Sequence, residues 1–313
     1  MKAHTLFPLY VVILNWNLSE ETILCIESVR LNQLPGIEIV IVDNASTDRS
    51  VALLRGQLGD TVKLIQNGEN LGFAGGVNVG IKAALAEGAQ SVLLLNNDTI
   101  VASDMISCLV TEASQIPRAG IIGPVIYYYD HPECIWCLGA REYRYLPVPL
   151  ELSARALYKV GSKPLQLDYG NACGMLVRRQ VFEAIGLFDE RYFIYFEDVD
   201  FCRRARQARY EVWCVPQAKM WHKVSRTMNK QKPGMRYTEW WGRARFYRTH
   251  AQGFSRGPTY AYLLTKVVKR TLSDLLPGDW ELVKALWAGT FDGFFNKASR
   301  HFDFYSAYRP KPN

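Results

Sequence analysis

Residues 9–95 alternate short apolar runs with polar breaks and segments of helical periodicity, and this repeat constrains the fold more than any other feature. Four runs rich in Val, Ile and Leu span 9–14, 37–42, 62–66 and 91–95. Segments with apolar residues at helical spacing lie between them, at 18–30, 49–58 and 77–87. Strands that alternate with helices form parallel sheets covered on both faces. We therefore predict an α/β fold with a mostly parallel central sheet.

The polar breaks place candidate ligand-binding residues at one edge of that sheet. Asn15, Asp43 and Asp98 follow the first, second and fourth strands. Ligands of such sheets bind outside the carboxyl ends of the strands, where loops and helix N-termini present polar groups. A carboxylate there suits Mg²⁺ or Mn²⁺ bound together with a diphosphate, because phosphates and waters supply the remaining oxygens. Capping of the following turn is the alternative interpretation for Asp43 and Asp98.

A glycine-rich stretch at residues 70–78 precedes the third helical segment. Its glycines allow close approach of backbone to a phosphate at a helix N-terminus. The stretch lacks the Lys-Ser/Thr ending of a P-loop and the GxGxxG spacing of dinucleotide-binding folds, so a plain tight turn is the alternative.

A second acidic cluster contains Glu197, Asp198 and Asp200 among Tyr and Phe residues. Aromatic surroundings raise the proton affinity of a carboxylate, which suits a general base that removes a proton from a hydroxyl group. Acids at a helix N-terminus that pair with the arginines following them are the alternative. The pair Cys134 and Cys137 has the spacing of half a zinc site, but without a second Cys or His pair we expect free thiols.

The carboxy-terminal part interleaves Trp, Tyr, Lys and Arg with apolar residues and predicts two or three helices. The formal charge of +7 and the pI near 9.0 suit anionic partners. No continuous apolar run reaches the roughly 18–20 residues that span a bilayer, so any membrane contact is expected to be peripheral. Two interpretations of these helices remain equal alternatives. Their basic, aromatic face binds an anionic membrane, or the helices pack on the rest of the protein and their basic face is solvated.

We expect a cytoplasmic protein, with the inner face of the cytoplasmic membrane as the place of any lipid contact. The run at 9–14 continues into Asn15, Trp16 and Asn17 without a small-residue cleavage site, which favours a core strand over a signal peptide. Seven widely spread cysteines also fit a reducing compartment better than a disulfide framework.

Six segments carry a family resemblance through their order and spacing: LNWN, VDNASTD, NLGFAGGVNVG, LLLNNDT, GMLVRR and FDERYFIYFEDVDFCRRAR. Together they resemble the inverting family-2 glycosyltransferases, particularly bacterial rhamnosyltransferase-like members, over about residues 9–230. The resemblance implies a GT-A fold, a Rossmann-like nucleotide-binding architecture, with a helical carboxy-terminal extension. It implies a catalytic domain at 1–235, with a nucleotide-sugar half to about 125 and an acceptor half at 126–235, and an extension at 236–313.

The same resemblance implies roles for individual residues. Asp198 corresponds to the catalytic base, with Glu197 as the competing candidate, and Asp98 and His222 to metal ligands. The residues implied to contact the nucleotide-sugar are Asn15, Asn17, Asp43, Asn44, Asp48, Gly72, Phe73, Gly75, Gly76, Asn78, Asn96 and Asn97. The run of residues 96–98 takes the place of the family's DxD metal motif, but Asn96 stands where the first Asp is expected, so metal dependence is less strictly implied.

The expected function is inverting transfer of a sugar, rhamnose being one candidate, from a dTDP- or UDP-sugar to a glycan or polyprenyl-linked acceptor in cell-surface polysaccharide synthesis. A divalent metal, Mg²⁺ or Mn²⁺, is the expected cofactor. A sugar nucleotidyltransferase is the alternative among enzymes, since it also uses a metal and an α/β sheet. A basic nucleic-acid-binding protein is the alternative outside them, but the basic residues form no recognisable binding module and we expect no nucleic-acid partner.

Overall fold

A computed structural model describes residues 6–59, 62–224 and 233–298. Within these ranges the chain forms twelve strands and ten α-helices. The strands are β1 (Leu9–Asn15), β2 (Ile37–Asp43), β3 (Lys63–Gln66), β4 (Ser91–Asn96), β5 (Thr99–Val101), β6 (Ala119–Tyr128), β7 (Ile135–Cys137), β8 (Ala140–Tyr143), β9 (Leu146–Glu151), β10 (Leu165–Leu167), β11 (Gly174–Arg178) and β12 (Glu211–His222). The helices are α1 (Ser19–Arg30), α2 (Ser50–Leu58), α3 (Gly72–Ala86), α4 (Met105–Gln115), α5 (Arg155–Val160), α6 (Arg179–Ile185), α7 (Glu197–Gln207), α8 (Pro233–His250), α9 (Arg256–Leu275) and α10 (Trp280–Phe294).

One sheet contains ten of the described strands in the order β10-β12-β6-β11-β4-β1-β2-β3, with β5 beside β12 and β7 beside β6. The strands β3, β2, β1 and β4 run parallel to one another. β11 lies antiparallel between β4 and β6. Nearly all side chains of β1 and β4 are buried, which explains why their sequences are continuous apolar runs. The predicted α/β fold is confirmed, and the carboxyl ends of β1, β2 and β4 meet at one edge.

One expectation from the sequence requires correction. The third helix begins at Gly72, so Gly75 and Gly76 lie inside α3 and are not part of a loop. β12 reaches His222 because its ladder with β6 resumes after an irregularity between Val215 and Lys219. The stretch 130–161, which has little periodicity, contains three short strands and α5.

Two glycines of α3 allow this helix to pack closely against the parallel strands. A Cβ atom at Gly76 would lie 2.5 Å from Leu14 Cδ1. A Cβ at Gly80 would overlap Val12 Cγ1 and lie 3.0 Å from Val42 Cγ2. The glycine-rich sequence is therefore explained first by helix-to-sheet packing.

The substitution Gly80→Ala tests that packing. The added methyl group meets two β-branched side chains that have little rotamer freedom, so we expect a loss of about 1–3 kcal/mol in the free energy of unfolding. Gly56→Ala is the matched control, since no atom lies within 4 Å of a Cβ at that exposed helical position. Helix propensity alone should make the control neutral or more stable by about 0.5–1 kcal/mol. Urea unfolding measures both variants, and a Gly80→Ala midpoint at or above wild type would contradict close packing.

The contacts divide the chain into two compact units. The first comprises the described parts of 1–141, 149–190 and 198–224, and the second those of 142–148, 191–197 and 225–313. The first contains the ten-stranded sheet. The domain boundary predicted at residue 235 stays a prediction.

In the second unit, α8 and α10 pack backbone against backbone. A Cβ at Gly289 would overlap the Tyr237 carbonyl, and a Cβ at Gly293 would overlap that of Trp241. The hydroxyl of Tyr237 also donates to Asp292 Oδ2 at 3.0 Å. No helix in the described ranges is both long enough and apolar enough to cross a bilayer.

Candidate functional site

The carboxyl ends of β1 and β2 are joined by a buried hydrogen-bond network. Asn15 Nδ2 donates to Asp43 Oδ1 at 2.7 Å, and the strand register places these two residues side by side. Ser46 Oγ donates to the same carboxylate oxygen at 2.6 Å, and its backbone N–H donates to Asp43 Oδ2 at 3.0 Å. A buried carboxylate held by three donors has a fixed orientation. This arrangement offers a rigid acceptor at the position expected to hold the base or ribose of a nucleotide.

The network extends to the turn after β4 through Thr22. Its hydroxyl donates to Asn15 Oδ1 at 2.8 Å and accepts from Asn97 Nδ2 at 3.0 Å. The three strand ends are thus connected by side-chain hydrogen bonds as well as by the sheet. The contact brings Asn15, Asp43 and Asn97 into one cluster.

Asp98 and His222 form a second buried pair beside this cluster. Asp98 Oδ1 lies 3.1 Å from His222 Nε2, although 124 residues separate the two in sequence. The pairing arises because β5 and β12 are antiparallel neighbours with His222 opposite Thr99. The edge of the Trp136 ring packs against the imidazole, with ring centroids 4.5 Å apart.

The donor set of Asp98 and His222 fits a divalent cation that is also bound by phosphates. Two ligands of a six-coordinate ion, each about 2.1 Å from it, lie about 3 Å apart, close to the separation between Oδ1 and Nε2. His222 Nδ1 is buried and has no hydrogen-bond partner among the described residues, so the ring has no fixed polar contact on that side. No cluster of three or more acidic, His or Cys ligands occurs in the described ranges. A cation here would therefore need oxygens from its substrate, as Mg²⁺ commonly does in phosphate sites.

A buried ion pair adjoins the metal-ligand candidates. The ammonium group of Lys223 pairs with Glu21, and it lies 4.8 Å from the centre of the Tyr129 ring. The backbone N–H of Lys223 donates to the Asp98 carbonyl at 2.9 Å. These contacts tie the end of β12 to the turn after β4 and to the first turn of α1.

Asp198 lies beside the same end of β4. Its Oδ2 accepts the Ala172 N–H at 3.3 Å, and the next residue, Cys173, accepts the Asn96 N–H through its carbonyl at 3.1 Å. The predicted base is therefore connected to the residue 96–98 turn through one short loop. Burial raises the pKa of the Asp198 carboxyl, while backbone N–H groups of Ala172 and Val199 oppose that shift. A carboxylate with raised proton affinity is suited to accept a proton.

Glu197, the competing base candidate, begins α7 and is more buried than its neighbour, at 5% exposure. The preceding residues, Tyr195 and Phe196, have left-handed backbone angles, with φ of 70° and 72°. Gly242 of α8 fits against this backbone, because a Cβ there would lie 2.8 Å from the Tyr195 carbonyl oxygen. Arg243 lies over the Phe196 ring at 5.2 Å. The turn that leads into the acidic pair is thus fixed by packing on α8.

Other residues implied to bind the nucleotide-sugar make contacts within the protein. Asn44 accepts from Asn67 and the Leu71 N–H and donates to Asn70 Oδ1 and the Gly72 carbonyl, which joins the loop after β2 to the start of α3.

Three further members of that group also have intramolecular partners. Asn78 exchanges two hydrogen bonds with the Phe188 backbone. Asp48 is exposed and accepts the Ser50 N–H at 2.9 Å in the turn before α2. Asn17 accepts the Thr47 N–H at 2.8 Å. Their contacts with a donor stay predictions, as do those of Phe73 and Asn96.

The Cys134 and Cys137 pair is free, as expected, and so are the other five cysteines. Burial raises the pKa of Cys137 to about 12, so its thiol stays protonated at neutral pH. A protonated thiol is a poor metal ligand and a poor nucleophile.

Sequence reasoning missed Thr22, Ser46 and the Lys223–Glu21 pair. Ser46 lies within the VDNASTD segment, which indicates a polar site but does not indicate which of its residues bind Asp43. Thr22 and Glu21 lie on a helix whose pattern only identified an apolar face, so no local signal marked them.

Comparison with known proteins gives a family and a fold. Residues 10–186 match the profile of glycosyl transferase family 2. The chain is 30% identical over 212 residues to a low-salt glycan biosynthesis hexosyltransferase, Agl10, of Haloferax volcanii, which covers 65% of this chain and 63% of that protein. It is 29% identical to a dTDP-rhamnosyl transferase, RfbF, of Shigella flexneri, with 59% and 60% coverage. It is 32% identical to an N-acetylglucosaminyl-diphospho-decaprenol L-rhamnosyltransferase of Mycobacterium tuberculosis, with 59% and 66% coverage.

Solved structures resemble the chain over nearly its whole length. One is GalNAc-T7 with UDP, GalNAc and Mn²⁺, with a TM-score of 0.60, 18% identity, and coverage of 98% of this chain and 59% of the other. Another is the mannosyltransferase PcManGT of Pyrobaculum calidifontis in complex with GDP-Man and Mn²⁺, with a TM-score of 0.56, 14% identity, and 96% and 80% coverage. These likenesses confirm the predicted GT-A fold. The matched segments span 60–66% of the length of the three relatives.

Proposed function

Because the chain belongs to glycosyl transferase family 2, we propose that it transfers a sugar from a nucleoside-diphosphate sugar to a hydroxyl of a glycan or polyprenyl-linked glycan, with inversion at the anomeric carbon. One observation carries the proposal. The network of Asn15 and Asp43, the pair of Asp98 and His222, and the carboxylate of Asp198 all lie around the carboxyl ends of the parallel strands. Nucleotide recognition, diphosphate binding and proton removal are thereby provided at one sheet edge.

Asp43 and Asn15 are assigned to the nucleoside. Asp43 Oδ2 accepts only the Ser46 N–H among the hydrogen bonds described, which leaves a lone pair for a donor from the ligand. The network behind it holds the carboxylate in place, so little side-chain entropy is lost when a nucleotide binds. A dTDP- or UDP-sugar is the proposed donor, and the names of the rhamnosyltransferase relatives support a deoxysugar such as rhamnose.

Asp98 and His222 would hold a divalent cation, Mg²⁺ or Mn²⁺, which would stabilise negative charge on the departing diphosphate.

Asp198 acts on the acceptor. Its carboxylate takes the proton of the acceptor hydroxyl as that oxygen forms a bond to the anomeric carbon. The bond between the anomeric carbon and the diphosphate breaks with its electron pair on the phosphate oxygen. Attack on the face opposite the leaving group inverts the configuration.

The proposed acceptor is a glycan of cell-surface polysaccharide synthesis. The relatives named for low-salt glycan biosynthesis and for a diphospho-decaprenol-linked sugar support this class. A polyprenyl-linked acceptor would place the reaction at the inner face of the cytoplasmic membrane, with the protein bound peripherally.

The phosphorus-containing product separates this proposal from a sugar nucleotidyltransferase. The chain is incubated with Mn²⁺ and, in turn, dTDP-rhamnose, UDP-sugars and GDP-sugars, each with a synthetic polyprenyl-diphosphate-linked sugar acceptor. We expect one donor to yield a nucleoside diphosphate together with an extended acceptor. A nucleotidyltransferase would use a nucleoside triphosphate and a sugar phosphate and release pyrophosphate. Pyrophosphate from that pair, with no nucleoside diphosphate from any sugar donor, would replace the proposal with this alternative.

A further inference from the structure

Two helices of the second unit carry large apolar side chains that remain exposed. On α9 and the residue after it these are Leu264, Val268, Leu272 and Leu276, with exposed fractions of 45–89%. On α10 and the residue after it these are Trp280, Trp287, Phe291 and Phe295, with exposed fractions of 45–64%. We call these eight side chains the α9–α10 face.

The spacing places each set on one side of its helix. The α9 residues recur every fourth position, and those of α10 recur at intervals of seven, four and four. Trp287 Nε1 donates to Thr271 Oγ1 at 3.0 Å, so the two exposed sides adjoin. Monomeric proteins rarely expose a contiguous apolar surface of this kind without a binding role.

Packing among the described residues of the unit does not account for the α9–α10 face. α9 buries a different set of residues, Thr259, Leu263, Val267 and Asp274. α10 likewise buries Leu282, Ala285, Leu286, Gly289, Asp292 and Gly293. Each helix therefore has one side that stabilises the unit and a second apolar side available to a partner.

The charges around the face favour an anionic partner. Over residues 256–298 the exposed basic residues are Arg256, Lys266, Lys269, Arg270, Lys284 and Lys297. The exposed acidic residues there are Asp279 and Glu281. The other two acids, Asp274 and Asp292, are buried, where Asp274 pairs with both Arg236 and Arg270 and Asp292 accepts from Tyr237. The solvent side of this segment is thus positively charged.

We propose that the α9–α10 face binds the surface of an anionic lipid bilayer, with both helices lying in the membrane plane. Leucine and phenylalanine side chains enter the boundary between headgroups and acyl chains, and the two tryptophans lie at headgroup depth, which suits their amphipathic rings. The exposed lysines of residues 256–298 contact lipid phosphates. Only the purpose of this binding, which is to bring the enzyme to a lipid-linked acceptor, rests on the proposed function. Binding to the membrane itself requires no sugar.

Vesicle flotation of the full chain tests the proposal. We expect binding to phosphatidylcholine vesicles that contain phosphatidylglycerol, weaker binding to phosphatidylcholine alone, and weaker binding at high salt. Leu272→Asp should weaken partition at least tenfold, because a carboxylate cannot enter the boundary region without losing hydration. Lys266→Glu combined with Lys269→Glu should remove most of the salt dependence.

Leu31→Asp is the matched control, since Leu31, directly after α1, is 62% exposed and Leu272 on α9 is 59% exposed. It should bind vesicles as wild type does, and circular dichroism verifies that both variants are folded. Equal flotation of Leu272→Asp and wild type would overturn the proposal. So would a dimer in solution that Leu272→Asp dissociates, because the face would then bind a second copy.

Transfer to a water-soluble acceptor separates this inference from the proposed function. Normal transfer by a chain that does not bind vesicles would refute membrane binding alone. Vesicle binding without transfer from any sugar donor would refute the proposed function alone.

Discussion

Asp198→Asn is expected to lower the rate of sugar transfer by a factor of about 10² to 10⁴, the usual contribution of a positioned general base. The substitution keeps the size of the side chain and an oxygen that can accept the Ala172 N–H, which donates to the wild-type carboxylate at 3.3 Å. The amide cannot take the proton of the acceptor hydroxyl. Donor affinity should change little, since the nucleoside and metal-ligand residues are intact. Steady-state rates and calorimetric titration with the nucleoside diphosphate measure the two quantities separately.

The pH dependence of transfer provides a second readout for the same residue. Burial raises the pKa of the Asp198 carboxyl above that of an ordinary aspartate. A general base works only when it is ionised, so the wild-type rate should rise with pH as this carboxyl loses its proton. The midpoint of that rise should lie above the ordinary aspartate pKa of about 3.9. The residual activity of Asp198→Asn should lack this rise.

Glu197→Gln distinguishes the two candidates for the base. Glu197 is adjacent in sequence and nearly fully buried, while Asp198 has the backbone contact that connects it to the end of β4. We expect Glu197→Gln to retain the pH-dependent rise. If Glu197→Gln abolishes transfer and Asp198→Asn does not, the roles of the two residues are reversed.

Asp98→Asn is expected to weaken metal-dependent binding of the nucleoside diphosphate by about 100-fold, or roughly 2.7 kcal/mol. Asp98 supplies the only carboxylate of the buried pair with His222, and an amide is a much weaker ligand for a hard cation. Titration calorimetry with Mn²⁺ and with a chelator measures the effect. In the chelator, wild type and variant should bind the nucleotide with similar, low affinity.

Asp104→Asn is the matched control for that experiment, because Asp104 is an exposed carboxylate just before α4. It should bind Mn²⁺ and nucleotide as wild type does. If Asp98→Asn retained full Mn²⁺-dependent affinity, the cation would have to be held elsewhere, and the role of His222 would also be lost.

The strands that form the site could be predicted because each is buried on both faces. A fully buried parallel strand needs an almost continuous apolar run, and the residue that ends the run therefore stands out. This pattern identifies Asn15 and Asp43, which end runs of Val, Ile and Leu, and the polar segment 96–98 that contains Asp98. The sheet then fixed their proximity through parallel register.

The pairing of His222 with Asp98 could not be predicted from local pattern, and only family resemblance suggested it. It depends on an antiparallel contact between two strands far apart in sequence, and on a ladder that resumes after the irregularity between Val215 and Lys219. The hydrogen bonds of Thr22 could not be predicted either. A polar residue on an apolar helix face gives no indication of its partner, which is set by tertiary packing.

The start of α3 could not be predicted for a different reason. Glycine has low helix propensity, so a glycine-rich segment favours a loop when it is considered alone. Close packing of Gly76 and Gly80 on β1 compensates for that propensity. This contact exists only after the sheet has formed, so the helix boundary lay five residues before the predicted one.

Nuclear magnetic resonance of a single reaction tests the central claim most directly. The protein is mixed with Mn²⁺, the donor that supports turnover and a defined acceptor, and ³¹P and ¹H spectra are recorded as product first forms. We predict a nucleoside diphosphate in the ³¹P spectrum and an anomeric ¹H signal whose configuration is opposite to that of the donor. A retained configuration would contradict direct displacement assisted by Asp198, and the absence of any nucleoside diphosphate would contradict sugar transfer itself.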